Sequence, residues 1–359
     1  KKPAYLDEVQ NFDINSVDHP EDHTATLKKL LNSPNIASKR WVHEQYDTMV
    51  RTNTVTGPGA SDSGVIRIKG TKKGLVAKTD CNGRYVYLNP RKGGQIAVAE
   101  SARNVVCSGA KPMAITNCLN FGNPYKPEVY WTFKEALGGM SDACRALNTP
   151  VTGGNVSFYN ENPNSAIFPS PIIGMLGVIE DVEKHVTTPA FKNEGDVVLY
   201  IGADRKGLGG SEYLKTVHGL TTGDAPEIDL DVEVKLQEAL LTAIKLGLVT
   251  AAHDLSDGGL ATTLTEMAIF GKKGAELSVD TLTGTPHEVL FSEAQSGVVI
   301  TIDAPQLQTV KHHFEEAGVP LYELGVVKGN KLDIKDLLSI DVSESEEIYE
   351  SVLPKAMAG

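Results

Sequence analysis

Paired cysteines, an excess of positive charge and long apolar runs are all missing from this 359-residue chain. Its four cysteines, Cys81, Cys107, Cys118 and Cys144, form no CxxC pair, which excludes zinc-ribbon and thioredoxin-type motifs and fits reduced thiols in packed segments. Lys and Arg number 34 against 46 Asp and Glu, a formal charge of −12. There is thus no electrostatic footprint for a nucleic acid, although a small nucleotide chelated with Mg²⁺ suits an acidic protein. No apolar run approaches the ~20 residues that a spanning helix needs, and no signal-peptide pattern opens the chain. A membrane partner is not expected; a cytoplasmic location is. The start, KKPAYLDEVQ, lacks Met, so a piece of a longer protein is the expectation. The glycine turn GLGGSE (207–212) is not followed by GK and Ser or Thr, which excludes a P-loop. No Ser/His/Asp or Cys/His arrangement is legible. The histidines, His253 among them, have no ligand spacing and are read as solvated or capping groups.

What is present is ordinary globular composition, 41% hydrophobic and 22% charged, at a length that exceeds the usual limit of one core and predicts two domains. Residues 1–32 read as a polar linker or arm, with helical pattern starting at Leu27, Leu30 and Leu31. Residues 33–187 read as a first α/β domain and 188–359 as a second, the boundary being drawn where periodicity lapses around TTPAFKNEGD (187–196). GVIRIKG and GLVAKTD predict a hairpin. The stretch 93–109 predicts a helix with Val98, Ala102 and Val105 on one stripe and Glu100 and Asn104, four apart, sharing the next. PVTGG reads as a short strand leading into a turn. VVLYIG, GVVITID and PLYELGVV, with helices between them, complete an alternating α/β pattern.

Three stretches can carry chemistry. In TGGNVS (152–157), amides flanking Gly153 and Gly154 can approach a phosphate, Asn155 offers an uncharged oxygen to Mg²⁺, and Ser157 offers a hydroxyl; a plain structural turn explains the same residues. TNCLNFGNP (116–124) places short polar side chains at a strand end, as ligand sites and capped loops both do. AHDLSDGGL (252–260) puts Asp254, Ser256 and Asp257 just ahead of a helix, where N-capping alone accounts for them. Asp80, Glu100, Asn104 and Asp254 are the oxygen donors to test for a hard cation, and spacing supports only the Glu100 and Asn104 pair.

The order NIASKRWVHEQYD, TNTVTGPGASDSGVIRIKG, TDCNGRYVYLNP, AESARNVVCSGAKPMAITNCLNFGNP, CRALNTPVTGGNVSFYNE, GLGGSEY, AHDLSDGGLATTLTEMA resembles the C-terminal half of the phosphoribosylformylglycinamidine synthases of the small type (synthase II), from about residue 33 to the end. The resemblance implies a two-domain α/β (α+β) half of a duplicated architecture, like that of aminoimidazole ribonucleotide synthetase, whose first sheet pairs with the partner half into a barrel. It implies an ATP-dependent ligase of purine biosynthesis, acting on formylglycinamide ribonucleotide and ammonia, whose catalytic residues lie in the missing N-terminal half. Carried over by position, Asn117 and Gly154 contact ATP, Asn155 binds Mg²⁺ and Ser157 contacts the substrate; many relatives have Asp at position 117. Asp80, Glu100, Asn104, Asp254 and Ser256 match an auxiliary site for Mg²⁺ and a trapped nucleotide. The implied partners are the missing half, a glutaminase subunit and a small accessory subunit, with a homodimer of this chain as an expectation from its unpaired sheet. Two rival readings stand beside this one: a self-sufficient homodimeric ATP enzyme, and a non-catalytic nucleotide-binding or scaffolding module.

Overall fold

The computed structural model describes residues 1–59, 61–204 and 206–358. The strands fall into two sheets. β1 (Thr54–Thr56), β2 (Gly64–Arg67), β3 (Gly74–Asp80), β4 (Lys111–Asn120), β5 (Val151–Ser157) and β6 (Ser170–Ile179) form the first, in the order β1-β2-β3-β6-β4-β5. All its neighbours are antiparallel except β4 and β5. The second contains β7 (Val197–Gly202), β8 (Ala251–Asp254), β9 (Ala275–Leu277), β10 (Gly297–Ile302), β11 (Leu321–Val327), β12 (Lys331–Ile334) and β13 (Leu338–Asp341), in the order β13-β12-β9-β11-β7-β10-β8. This is the mixed α/β fold expected, with the hairpin β2–β3 where the sequence placed it.

The two sheets bury their faces differently, and the sequence pattern says why. β7 and β10 are buried along their whole length, matching their unbroken apolar runs. Helices cover both faces: His23–Leu31, Gly259–Gly271 and Val342–Met357 on one core, Leu230–Lys245 and Leu307–Glu316 on the other. In the first sheet β6 alternates, so that Ile173, Met175 and Ile179 are buried while Ile172 and Leu176 are exposed. The buried face packs on helices Pro90–Cys107 and Pro127–Ala146. These two helices approach closely because Gly139 has no side chain; a Cβ there would lie 1.8 Å from the carbonyl oxygen of Arg91. The opposite face, with Ile66, Ile172 and Leu176, stays open.

The linker expected over residues 1–32 is not what forms. Asp22 caps the helix His23–Leu31 by accepting from the Ala25 amide at 2.9 Å, and Leu27, Leu30 and Leu31 are fully buried in the core of the second sheet. Leu6 is buried too, and Tyr5 stacks on Tyr87 with ring centroids 4.5 Å apart. The polar residues between those apolar ones hid two short amphipathic pieces that gain their stability only from tertiary packing.

Polar side chains fix one domain on the other. Arg103, fully buried on helix Pro90–Cys107, donates to Glu233 Oε1 at 2.8 Å and to Gln295 Oε1 at 2.8 Å. Arg84 pairs with Glu212 at 2.7 Å, and Tyr85 bonds Glu293. Such buried pairs fix geometry more than they add stability.

Candidate functional site

TGGNVS is strand, not loop. Its residues form most of β5, the edge of the first sheet, exposed from Val151 to Val156. The parallel ladder sets Gly154 opposite Asn117, Asn155 opposite Cys118 and Ser157 opposite Asn120. Two glycines disguised the strand, because Gly is disfavoured in sheets unless another group must come close. That is the case at Gly154, whose φ is +152° and where a Cβ would stand 2.3 Å from Asn117 Oδ1. Asn117 and Gly154 are therefore in contact. Asn155 and Ser157 alternate to the other side of the strand, and the Ser157 hydroxyl lies 3.3 Å from Asn160 Oδ1.

The second group of residues gathers around one cavity. Asp80 ends β3, Glu100 and Asn104 sit one turn apart on helix Pro90–Cys107, Asp254 ends β8, and Ser256 follows it. All five line one cavity of about 240 Å³ between the two domains. Asn104 Nδ2 donates to the Glu100 carbonyl at 2.8 Å and to Asp254 Oδ2 at 3.1 Å. The N-capping account of Asp254 and Asp257 fails: the cap of helix Gly259–Gly271 is Gly258, with no side-chain cap bond. Asp257 instead accepts from Asn82 and Asn35, both at 2.9 Å.

Sequence reasoning missed four lining groups: Asp62, Lys78, His253 as a buried group, and Glu266. His253 is neither solvated nor capping. It is buried, its Nε2 lies 2.9 Å from Glu266 Oε2, and its Nδ1 lies 2.7 Å from Asp62 Oδ1. Asp62 and His253 are 191 residues apart in sequence, so no local pattern could join them; the single usable signal was an unspent Asp in TGPGASDSG.

Crowded carboxyls in a place of low dielectric resist ionisation. Burial pushes Asp80 up to about 6, with Asp254 adding to the rise and Lys78 opposing it. Burial and the neighbouring Asp80 push Glu100 well above its ordinary range. Asp254 is raised by burial and by Asp62, against Arg103. Burial works against charge on Lys78, yet Asp80 and Asp254 outweigh it and raise its pKa. A larger groove of about 750 Å³ adjoins this cavity, sharing Gly59, Phe270 and Tyr349 and bringing Lys39 and Arg40 to its wall. The arrangement offers hard oxygens for a cation beside basic groups for phosphates.

The fold matches two family models in sequence along the chain: AIR synthase related protein, N-terminal domain, over residues 60–179, and AIR synthase related protein, C-terminal domain, over residues 193–336. The chain thus carries both the N-terminal and the C-terminal domain of AIR synthase-related proteins. It is 52% identical over 374 aligned residues to the phosphoribosylformylglycinamidine synthase subunit PurL of Salinibacter ruber, covering 99% of this chain and 49% of that protein. The chain thus spans about half the length of the curated relatives it matches. Among solved structures, Thermotoga maritima PurL complexed with FGAR superposes with a TM-score of 0.73 at 17% identity, over 91% of this chain and 54% of that one. The same protein complexed with ATP gives 0.65 at 18% identity, over 97% and 53%. At that identity the superposition speaks for the fold alone. The resemblance read from the motifs is thereby met along nearly the whole chain. Among the described residues no helix is long and apolar enough to cross a membrane.

Proposed function

We propose that this chain is the C-terminal half of an ATP-dependent ligase that converts formylglycinamide ribonucleotide and ammonia to the amidine, and that it does not complete the reaction alone. The observation that carries this reading is the 52% identity across 99% of the chain to a synthase subunit twice as long. β5 forms one wall of a composite pocket. Gly154 and Asn117, which touch, face the nucleotide across the strand edge, while Asn155 and Ser157, on the other side of β5, would hold Mg²⁺ through the Asn155 amide oxygen and touch the substrate through the Ser157 hydroxyl. At Gly154 a Cβ would strike the side chain and carbonyl of Asn117, so the glycine lets β5 lie close against Asn117; the amide oxygen of Asn155 suits a hard cation and, as the lone donor assigned here, requires further ligands from the opposite wall.

In the reaction, the substrate's amide oxygen attacks the γ-phosphorus of ATP and ADP leaves. Ammonia then adds to the imidate carbon and phosphate departs with the oxygen. Such transfer depends on positioning and on neutralised charge; bound Mg²⁺ supplies the latter. Asp80, Glu100, Asn104 and Asp254, an all-oxygen set, fit a second Mg²⁺, and the adjoining groove with Lys39 and Arg40 accommodates a nucleotide held for structural reasons. The open face of the first sheet meets the missing half. The relative's designation as a subunit supports further partners, a glutaminase and a small accessory subunit, and cytoplasmic location follows from the same pathway.

Amidine formation from formylglycinamide ribonucleotide, ATP and ammonia tests the reading. The isolated chain is expected to give none, and adding a separately expressed N-terminal half is expected to restore it. Turnover by the isolated chain overturns the proposal in favour of a self-sufficient homodimer.

A further inference from the structure

Asp62, His253 and Asp254 each present a ligand atom within 4.8 Å of the others, and their side chains are 6%, 8% and 2% exposed. The geometry around the imidazole is the telling part. Nε2 is engaged with the Glu266 carboxylate at 2.9 Å, and Glu266 is itself held by Tyr349 at 3.4 Å. Nδ1, on the other edge of the ring, has no hydrogen bond of good geometry among the described residues. It stands 2.7 Å from Asp62 Oδ1 and 3.9 Å from Asp254 Oδ1 and borders the acidic cavity. A carboxylate behind one ring nitrogen, with the other nitrogen 2.7 Å from an Asp62 oxygen but off the line of a hydrogen bond, is the arrangement by which proteins orient a metal-binding imidazole.

We propose that Asp62, His253 and Asp254 form a second cation position, with mixed nitrogen and oxygen ligands, for a borderline divalent ion such as Mn²⁺ or Zn²⁺. It is distinct from the all-oxygen set of Asp80, Glu100 and Asn104, with which it shares Asp254, and it does not rest on the ligase reading. Nitrogen donation disfavours Mg²⁺ and Ca²⁺ and suits the later metals. Asp62 lies on the loop before β2 in the first domain, whereas His253 and Asp254 end β8 in the second. The ion therefore pins one domain to the other, and binding only the folded chain it stabilises that fold.

The test uses the tag-free chain with Mn²⁺ alone. Electron spin-echo modulation is expected to show ¹⁴N coupling from one imidazole, lost in His253→Gln and kept in Asp80→Asn. Glu266→Gln is expected to weaken Mn²⁺ binding about 10-fold or more. Failure of Mn²⁺ to bind, a spectrum with oxygen ligands only, or ¹⁴N coupling that survives His253→Gln overturns the proposal. Should His253→Gln not fold, Asp62→Asn decides the matter: Mn²⁺ affinity unchanged within twofold, by calorimetry, contradicts the site, and a loss of about 10-fold supports it. A failure here with the Asp80 set still binding Mg²⁺ and nucleotide leaves the auxiliary-site reading intact.

Discussion

Gly153 and Gly154 are neighbours with opposite tolerance. A Cβ at Gly153 meets nothing within 4 Å, whereas at Gly154 it runs into Asn117 at a φ of +152°. Gly154→Ala is expected to destabilise the chain by ~1–3 kcal/mol and Gly153→Ala by about 0.5 kcal/mol or less, read from urea midpoints. The doublet was legible as a place of close approach; which glycine mattered was not, because that depends on the register with β4. Glu293 gives a second test at this scale. Burial and Asp257 push its carboxyl up to about 8, against bonds from the Gly258 amide and Tyr85. A folded pKa above the unfolded value near 4.5 means that the fold binds the extra proton. Stability attributable to Glu293 is then full below about pH 4.5, falls as pH rises and levels off above about pH 8. Glu293→Gln, which cannot ionise, is expected to flatten that slope in melts taken at about pH 5 and about pH 9.

Among the elements, helix Pro90–Cys107 joins everything. Its apolar stripe was readable and so was the pairing of Glu100 with Asn104, since both follow from the 3.6-residue period. Arg103, one position from Asn104, was invisible as a structural residue because Glu233 and Gln295 lie 130 and 192 positions away. Arg103→Met strands a buried carboxylate on Glu233 and is expected to cost ~3–5 kcal/mol; adding Glu233→Leu is expected to recover much of it in a double-mutant cycle of thermal melts. β5 was read too short for a related reason. Its edge position lets two glycines remain in a strand that a parallel ladder to β4 sustains, whereas the sequence reading ended it with PVTGG, at Gly154. The helix His23–Leu31 was half seen, its leucines found but its burial missed.

At the scale of the molecule, one face has no covering layer among the described residues. Ile66, Ile172 and Leu176 stand exposed on the first sheet, an apolar surface of the kind that associates. The isolated chain is expected to self-associate in sedimentation velocity, and the double substitution Ile172→Asp, Leu176→Asp to make it monomeric with its melting temperature little changed. Length and the lapse of periodicity near residue 187 suggested two domains, whereas the open sheet was expected only through the family resemblance. The resemblance had grouped Asp80, Glu100, Asn104, Asp254 and Ser256, but no local pattern brought Asp62, Lys78, His253 and Glu266 to the same cavity, since they meet only when both domains are assembled.

The central claim is that β5 is one wall of a nucleotide pocket completed by polypeptide outside this chain. A crystal structure of the two halves reconstituted with Mg²⁺ and a non-hydrolysable ATP analogue addresses it most directly. The account predicts metal-bound triphosphate at the amide oxygen of Asn155 with Gly154 beneath it; nucleotide found solely in the cavity of Asp80 and Asp254, far from β5, would contradict it.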